Sequence, residues 1–412
     1  MAARHSMATT VAAVIIGAAA LYLNFAVSGR QSLLFLVGVA AGLVLYHAAF
    51  GFTSSWRHFI TSGRGDGLRA QMLMLAVTCA VFFPLLGRGQ ALGQAVRGSV
   101  SPVGVSVLAG AFLFGLGMQL GGGCASGTLY TAGGGNTRMV ITLLAFIAGS
   151  VIGTAHMPWW SATPGFAPIS IVSAWGPWTA LAVSLIAFAA LAGVTLVVER
   201  GRPQAVAPSS HANLSARWLR GPWPLAAGAI GLALVNIATL LIAGRPWGVT
   251  SAFALWGAKA LAAVHVNVEA WPYWAAPAQR AALHAPVASD VTSVMDIGLL
   301  LGAMAAAGLA GRFAPTWRIS AGSAGTAIAG GLLLGYGARI AYGCNIGAFF
   351  SGVASGSVHG WIWLPAAFAG NAVMIWGRQR LSTPKATGFG AGAASGNDRG
   401  ALSAAIVGTP AD

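Results

Sequence analysis

Gly115–Gly135 reads GLGMQLGGGCASGTLYTAGGG, and Gly335–Ser355 reads GYGARIAYGCNIGAFFSGVAS. Aligning Cys124 with Cys344 also aligns Gly115 with Gly335, Gly117 with Gly337, Gly123 with Gly343 and Gly127 with Gly347. In each copy an apolar run enters a glycine turn, presents one cysteine and leaves through small and hydroxylated residues. The chain therefore reads as two related halves, and its site is expected where the two turns meet.

What surrounds the turns sets the class. Of 412 residues, 57% are hydrophobic and only 7% charged, with a mean hydropathy of +0.75. Apolar runs of spanning length recur along the chain, and they are continuous rather than alternating. Backbone polar groups in lipid must be satisfied internally, so continuous runs imply helices and exclude a barrel. The fold class expected is an all-α polytopic membrane protein of about ten long helices plus short re-entrant segments.

The spanning runs fall at 9–27, 31–50, 70–86, 102–120, 139–155, 177–198, 224–243, 293–310, 322–341 and 362–378. The run at 251–263 is too short to cross and reads as re-entrant. This divides the chain into an extra N-terminal helix (1–30), a first repeat half (31–198), a cytoplasmic connector (199–223), a second half (224–380) and a disordered tail (381–412). The formal charge of +15 comes from 22 Lys and Arg against 7 acids. Most of the cations lie in connectors, as the positive-inside rule requires. No motif supports nucleic-acid binding.

Threading from the basic connector places Arg57, Arg64, Arg69, Arg312 and Arg318 inside; Arg88 and Arg97 are the main violation. The helix before Cys124 then arrives at the cytoplasmic side and the helix before Cys344 at the external side. Related turns entered from opposite sides are the mark of inverted repeats with the site at the interface of the halves. A second pair of turns fits this pattern. Ala49–Arg57 reads AFGFTSSWR and Pro246–Lys259 reads PWGVTSAFALWGAK, so Gly51-Phe52-Thr53-Ser54 matches Gly248-Val249-Thr250-Ser251. All four turns are expected to converge.

The residue types indicate the chemistry. A glycine turn leading into a helix offers unpaired N–H groups, which suit an anion. A thiol is a weak donor and a soft partner, better matched to a sulfur-bearing anion than to a hard oxyanion. Gly122, Gly123, Cys124 and Gly127 are the candidates in the first turn, and Gly343, Cys344, Asn345 and Gly347 in the second. Gly51, Thr53 and Thr250 come from the Thr-Ser turns, and Arg57 and Lys259 follow them as possible sources of positive charge. His47 and His359 lie near the turns. Arg138, Lys259, Asp296 and Arg339 are ionisable at membrane depth, where such groups are functional candidates or snorkel. Asp296 is expected to start a helix. No carboxylate pair is visible, which argues against a carboxylate relay, while the histidines leave a proton-linked step open.

The third cysteine, Cys79, lies in the apolar run LMLAVTCAVFFPLL and reads as a buried small hydrophobe. Three cysteines without a CxxC spacing provide neither a disulfide framework nor a usual zinc site. No metal or other cofactor is expected, and no phosphate-binding GxxxxGKS is present. Trp159, Trp160, Trp271 and Trp274 read as an interfacial belt.

These motifs resemble the YeeE/YedE family of bacterial membrane proteins, which includes thiosulfate-uptake permeases. The resemblance rests on the two cysteine motifs, on GWIW at Gly360–Trp363 and on WGVTSAF at Trp247–Phe253. It implies an inverted-repeat helical fold of hourglass shape in the bacterial inner membrane. It also implies a pathway on which cysteines pass a small sulfur anion by S–H···S hydrogen bonds. Two of three such cysteines correspond to Cys124 and Cys344; in the third motif, Ala49–Arg57, the cysteine is replaced by Gly51. A cytoplasmic sulfur-carrier or sulfurtransferase partner follows by the same resemblance. The alternatives are a membrane-embedded thiol, disulfide or persulfide enzyme and a carrier of a selenium-containing or other inorganic anion.

Overall fold

The computed structural model describes residues 2–201, 218, 220–315 and 318–382. The tail expected to be disordered therefore lies outside the described residues apart from Leu381 and Ser382, and so does most of the 199–223 connector. The chain up to Trp376 forms one compact unit, and a second unit begins at Gly377.

In chain order the helices are α1 (Ala2–Ala26), α2 (Gly29–Ala48), α3 (Phe52–Ser62), α4 (Asp66–Arg88), α5 (Val105–Gly121) and α6 (Ala125–Gly133). They continue with α7 (Thr137–Ser161), α8 (Ile171–Trp175), α9 (Pro177–Arg200), α10 (Leu225–Ala243), α11 (Thr250–Ala263), α12 (Pro272–Ala275) and α13 (Pro277–His284). The last are α14 (Val291–Leu309), α15 (Ala321–Ile340), α16 (Ser351–Ala354) and α17 (Val358–Ser382). Only two-residue strands accompany them among the described residues. Among the described residues, nine segments are long and apolar enough to span a membrane, counting α2 with α3 and α5 with α6 as one each. The tenth long helix, α15, carries six glycines among its twenty residues. The protein is an all-α polytopic membrane protein, and all ten expected spans have a helix.

Local chemistry sets the helix ends. Ser28 Oγ accepts from Gln31 N–H at the head of α2 (3.2 Å), and Asn136 Oδ1 accepts from Met139 N–H at the head of α7 (3.2 Å). Such caps satisfy donors that a helix start leaves open. Asp290, not Asp296, starts α14: its carboxylate accepts from Ser293 N–H (2.8 Å) and Oγ–H (2.6 Å). The expectation for Asp296 is corrected by six residues, because Asp290 caps the helix and the polar Thr292 and Ser293 already lie in its first turn.

Helix packing shows a repeated pattern of contacts. α2 packs against α10 and α14, while α4 packs against α10. α1 lies along α14, and α9 lies along α4. Close approaches are exchanged in the same way. A methyl group at Gly115 would collide with the carbonyl oxygen of Ala367, and one at its counterpart Gly335 with that of Phe146. Gly149 in turn abuts the carbonyl of Leu332, and Gly370 that of Phe112. Phe112 and Leu332 are themselves equivalent under the alignment of the cysteines. Small residues that let backbones touch are the usual means of helix association in lipid.

Outside this core, residues 264–290 form a cap of short helices. Trp274 is 3% exposed and its indole N–H donates to Thr154 Oγ1 on α7 (3.1 Å). It is a buried anchor of this cap rather than part of an interfacial belt, whereas Trp159 stands 65% exposed.

Candidate substrate site

Each cysteine stands at the same kind of bend. α5 ends at Gly122, whose φ of 90° is left-handed. Cys124 then takes φ −83°, ψ −170° and heads α6. α15 ends in a turn through Tyr342 (φ 60°) and Gly343 (φ 152°). Cys344 follows with φ −99°, ψ −167° and heads a π-helical turn, Asn345–Phe350, that runs into α16. The two cysteines thus share one backbone conformation, at equivalent places, although only one leads into an α-helix.

Hydrogen bonds fix both turns through the cysteine carbonyls. Cys124 O accepts from Thr128 N–H (2.8 Å) and from Thr128 Oγ–H (2.8 Å). Cys344 O accepts from Ala348 N–H (2.8 Å) and Phe349 N–H (3.4 Å), the second bond widening the turn to the π form. π-turns are rare and concentrate at functional sites. Both side chains are buried, and all three cysteines are free thiols. Cys124 Sγ accepts from Gly127 N–H at 3.4 Å and lies 3.5 Å from Ser126 Oγ. The π turn packs against α6, and Cys124 lies within electrostatic reach of Cys344.

The Thr-Ser turns meet the cysteine turns. Gly51, with φ −111° and ψ 119°, caps α3; a methyl group there would sit 3.7 Å from the hydroxyl of Tyr130 on α6. The Phe52 ring meets Phe349 of the π turn at 6.4 Å. On the other side Asn236 of α10 accepts from Trp247 N–H (2.8 Å) and donates to Ser351 Oγ (3.1 Å). Ser351 Oγ–H donates to Trp247 O (2.6 Å), which locks the Trp247-Gly248 turn against α16. Thr250 begins α11 directly after this turn and is buried.

Within this cluster several polar groups have no hydrogen-bond partner: Thr53 Oγ1, both side-chain atoms of Asn345 and the Trp247 indole N–H. Asn345 is fully buried, and a buried amide left unpaired costs free energy unless a ligand or water completes it. Space is available beside it. A methyl group at Gly347 or Gly248 would meet nothing within 4 Å, though both neighbours of each glycine are buried. By contrast, a methyl group at Gly123 would lie 3.2 Å from Thr128 N and one at Gly343 only 2.7 Å from Ala348 N, so these two glycines are needed for the turns themselves.

Other candidates lie elsewhere. Lys259 Nζ donates to the carbonyls of Leu283 (2.6 Å) and Ala285 (2.7 Å), so it closes the end of α13 in the cap. Arg57 is half-buried on α3, beyond the Thr-Ser turn. Gly122 is exposed, next to Arg138, whose guanidinium donates to the carbonyls of Leu120 and Gly121 (both 2.7 Å). Arg138 thus caps α5 electrostatically. Arg339 donates to Tyr273 Oη (3.0 Å). His47 rests on Trp223, with ring centroids 5.2 Å apart, and His359 Nδ1 pairs with Ser357 Oγ (2.6 Å). Cys79 Sγ faces Val353 O at 3.9 Å. Tyr130, Trp247 and Ser351, which lie in the quoted motifs without standing out there, join the site. Asn236 lies outside every motif, and a polar residue inside an otherwise apolar run is the one signal the sequence offers for it.

The comparisons with known proteins agree with this architecture. A family described as sulphur transport matches residues 47–373, which include all four turns. The chain is 26% identical over 360 residues to a thiosulfate transporter, TsuA, of Spirochaeta thermophila, covering 83% of this chain and 97% of that one. It is 24% identical to the TsuA of Escherichia coli, covering 83% and 92%. A probable transporter, YedE, of Salmonella typhimurium is 31% identical over 154 residues, and there the match spans only 37% of each chain. The chain belongs to the sulphur transport family, the YeeE/YedE group whose cysteine motifs it carries.

Proposed function

We propose that the protein is a permease that brings a small sulfur-containing anion, thiosulfate or a close relative, inward across the bacterial inner membrane. The observation that carries this reading is the pairing of Cys124 and Cys344: two buried thiols in one shared backbone conformation, on turns that pack together. Thr53 and Asn345, each buried with unpaired polar atoms, supply hydroxyl and amide donors beside them. Gly347 and Gly248 leave the room in which an anion passes. Charge is offset by N–H groups and side-chain donors, since Lys259 is engaged in the cap.

The exchanged contacts of α2, α4, α10 and α14 support two halves, α1–α7 and α9–α17, in which α1 corresponds to α9. This differs from the division expected from the sequence by moving the helix at 1–30 into the first half and α9 out of 31–198 into the second. If each long helix crosses once, five crossings separate the start of α2 from that of α10, which inverts the second half. The waist is then the meeting place of the four turns. A cytoplasmic protein that accepts reduced sulfur is the partner this direction of transport calls for.

Uptake of radiolabelled thiosulfate into cells without their own importers tests the reading. Wild type takes up label, and Cys124→Ala and Cys344→Ala each abolish uptake while remaining folded in the membrane. Folded wild type that takes up nothing would overturn the assignment to thiosulfate. Competition with unlabelled sulfate, selenium-containing and other sulfur anions ranks the substrates.

A further inference from the structure

Among the described residues the carboxyl side chains are Asp66, Glu199, Glu269, Asp290 and Asp296. Four have evident tasks at helix ends or in the cap. Asp66 pairs with Arg64 (3.3 Å), Glu199 with Arg69 (2.6 Å) and Glu269 with His284 (3.1 Å), and Asp290 caps α14. Asp296 differs from all of them. It lies within a spanning helix, is fully buried, and neither of its oxygens has a hydrogen-bond partner.

Its surroundings are those of the pathway. α14 packs against α6, the helix headed by Cys124, and Asp296 acts electrostatically on Cys344. The titratable group that acts on it from its own helix is Asp290. On the helices around α14, Tyr46 and His47 of α2 are influenced by the charge of Arg312, Tyr130 lies on α6, and Tyr22 of α1 is exposed. Arg30 of α2 lies near Arg245, which donates to Thr292 (3.2 Å), and Lys259 of α11 serves the cap. None of these cations is paired with Asp296.

A carboxylate without a counter-ion inside a membrane protein marks an ion or proton path more often than a structural support. Here its charge would also repel an anion at Cys344, and strongly so in a dry interior. A proton on Asp296 removes that repulsion. We propose that Asp296 is the proton-binding site of the permease, taking up one proton with each anion and releasing it as the anion leaves. One carboxyl suffices for this, without the carboxylate pair of a relay. The proposal rests on the permease reading of the cysteine turns.

The test uses the purified full-length protein in liposomes, with thiosulfate as the probe and valinomycin and equal potassium on both sides to hold the potential at zero. Exchange of labelled for unlabelled thiosulfate at equal pH reads the pathway alone. Uptake with the outside one pH unit more acidic reads the coupling. Wild type should exchange, accumulate label about tenfold for one proton carried, and draw protons inward when thiosulfate is added. Asp296→Asn should exchange but not accumulate. Asp296→Glu, which keeps an acid of different strength, should accumulate with a shifted pH profile. Wild type that exchanges but moves no protons, Asp296→Asn that accumulates like wild type, or an unshifted Asp296→Glu profile would overturn the proposal while leaving the permease reading intact. Wild type that does not even exchange overturns both.

Discussion

Phe52 meets Phe349 edge to face, with ring centroids 6.4 Å apart and planes at 83°. This contact joins the first Thr-Ser turn to the π turn after Cys344. Phe349 in turn stacks on Trp363 at 6.3 Å and 10°, and Trp363 lies 5.5 Å from Phe114 of α5. Aromatic rings in such arrangements gain from geometry as well as burial. One cluster therefore ties α3, α5, the π turn and α17 together beside Cys344.

Phe349→Ala removes the centre of that cluster. Truncation of a fully buried aromatic costs roughly 3–5 kcal/mol. The expected result is a clear fall in the melting temperature of the detergent-solubilised protein, with thiosulfate uptake lost. Phe349→Leu, which retains most of the volume, should recover a large part of both. A melting temperature unchanged in Phe349→Ala would show that the ring does not hold the turns together.

Gly343 and Gly347 are separated by one turn and should behave oppositely. At Gly343 the backbone has φ 152° and a methyl group would approach Ala348 N to 2.7 Å. Gly343→Ala must therefore distort the π turn, at a cost of roughly 1–3 kcal/mol. At Gly347 no atom lies within 4 Å of the added methyl. Gly347→Ala should melt like wild type yet transport more slowly, because it narrows the space beside Asn345. Equal melting temperatures for both variants would contradict the backbone argument; unimpaired transport by Gly347→Ala would remove this glycine from the pathway.

The sequence made some of this legible and hid the rest for a physical reason. Continuous apolar runs disclosed the ten long helices, and the doubled cysteine motif disclosed the turns, because glycine and cysteine stand out against leucine and alanine. Helix facing was not legible. A helix in lipid is apolar on every side, so the 3.6-residue periodicity that reveals a buried face in water is absent. Asp296 could thus be read as a helix start, when Asp290 does that work and Asp296 faces the interior. Trp274 and Lys259 escape a reading of the sequence for a related cause. Their partners, Thr154 on α7 for Trp274 and the cap carbonyls of Leu283 and Ala285 for Lys259, are far apart in the chain, so the folding of the cap leaves no short-range pattern.

Asn236 tests how the second Thr-Ser turn is held. It pairs with both Trp247 N–H and Ser351 Oγ, and it is fully buried. Asn236→Leu leaves Trp247 N–H unpaired inside the protein, which costs about 1–3 kcal/mol, and takes one of two partners from Ser351 Oγ, which keeps its bond to Trp247 O. The variant should be less stable in detergent. Asn236→Asp keeps an acceptor for Trp247 N–H and should be the milder change for that bond, although it adds a buried charge unless protonated. A stability ranking with Asn236→Leu equal to wild type would show that Ser351 alone fastens the turn, through its bond to Trp247 O.

Gly51→Cys introduces the thiol that the family resemblance implies for the motif Ala49–Arg57, and the local geometry admits it. The backbone at Gly51 has φ −111°, an ordinary extended value, so no strain arises from losing glycine. The new Cβ would approach Ser54 Oγ to 2.5 Å, but that atom ends a rotatable side chain. Ser54 now donates to Gly51 O at 3.1 Å, and Ser55 Oγ–H donates to the same oxygen at 2.7 Å, so the carbonyl keeps a partner if Ser54 turns away. The variant should therefore fold and melt within a few degrees of wild type. If a third thiol extends the pathway, its rate of thiosulfate uptake should rise severalfold, and Cys124→Ala in the same chain should abolish the gain. The Tyr130 hydroxyl lies 3.7 Å from where that Cβ would sit. If this hydroxyl already serves there as the donor, Gly51→Cys should leave the rate unchanged and Tyr130→Phe should lower it. Measuring both variants beside wild type decides which group the anion meets first.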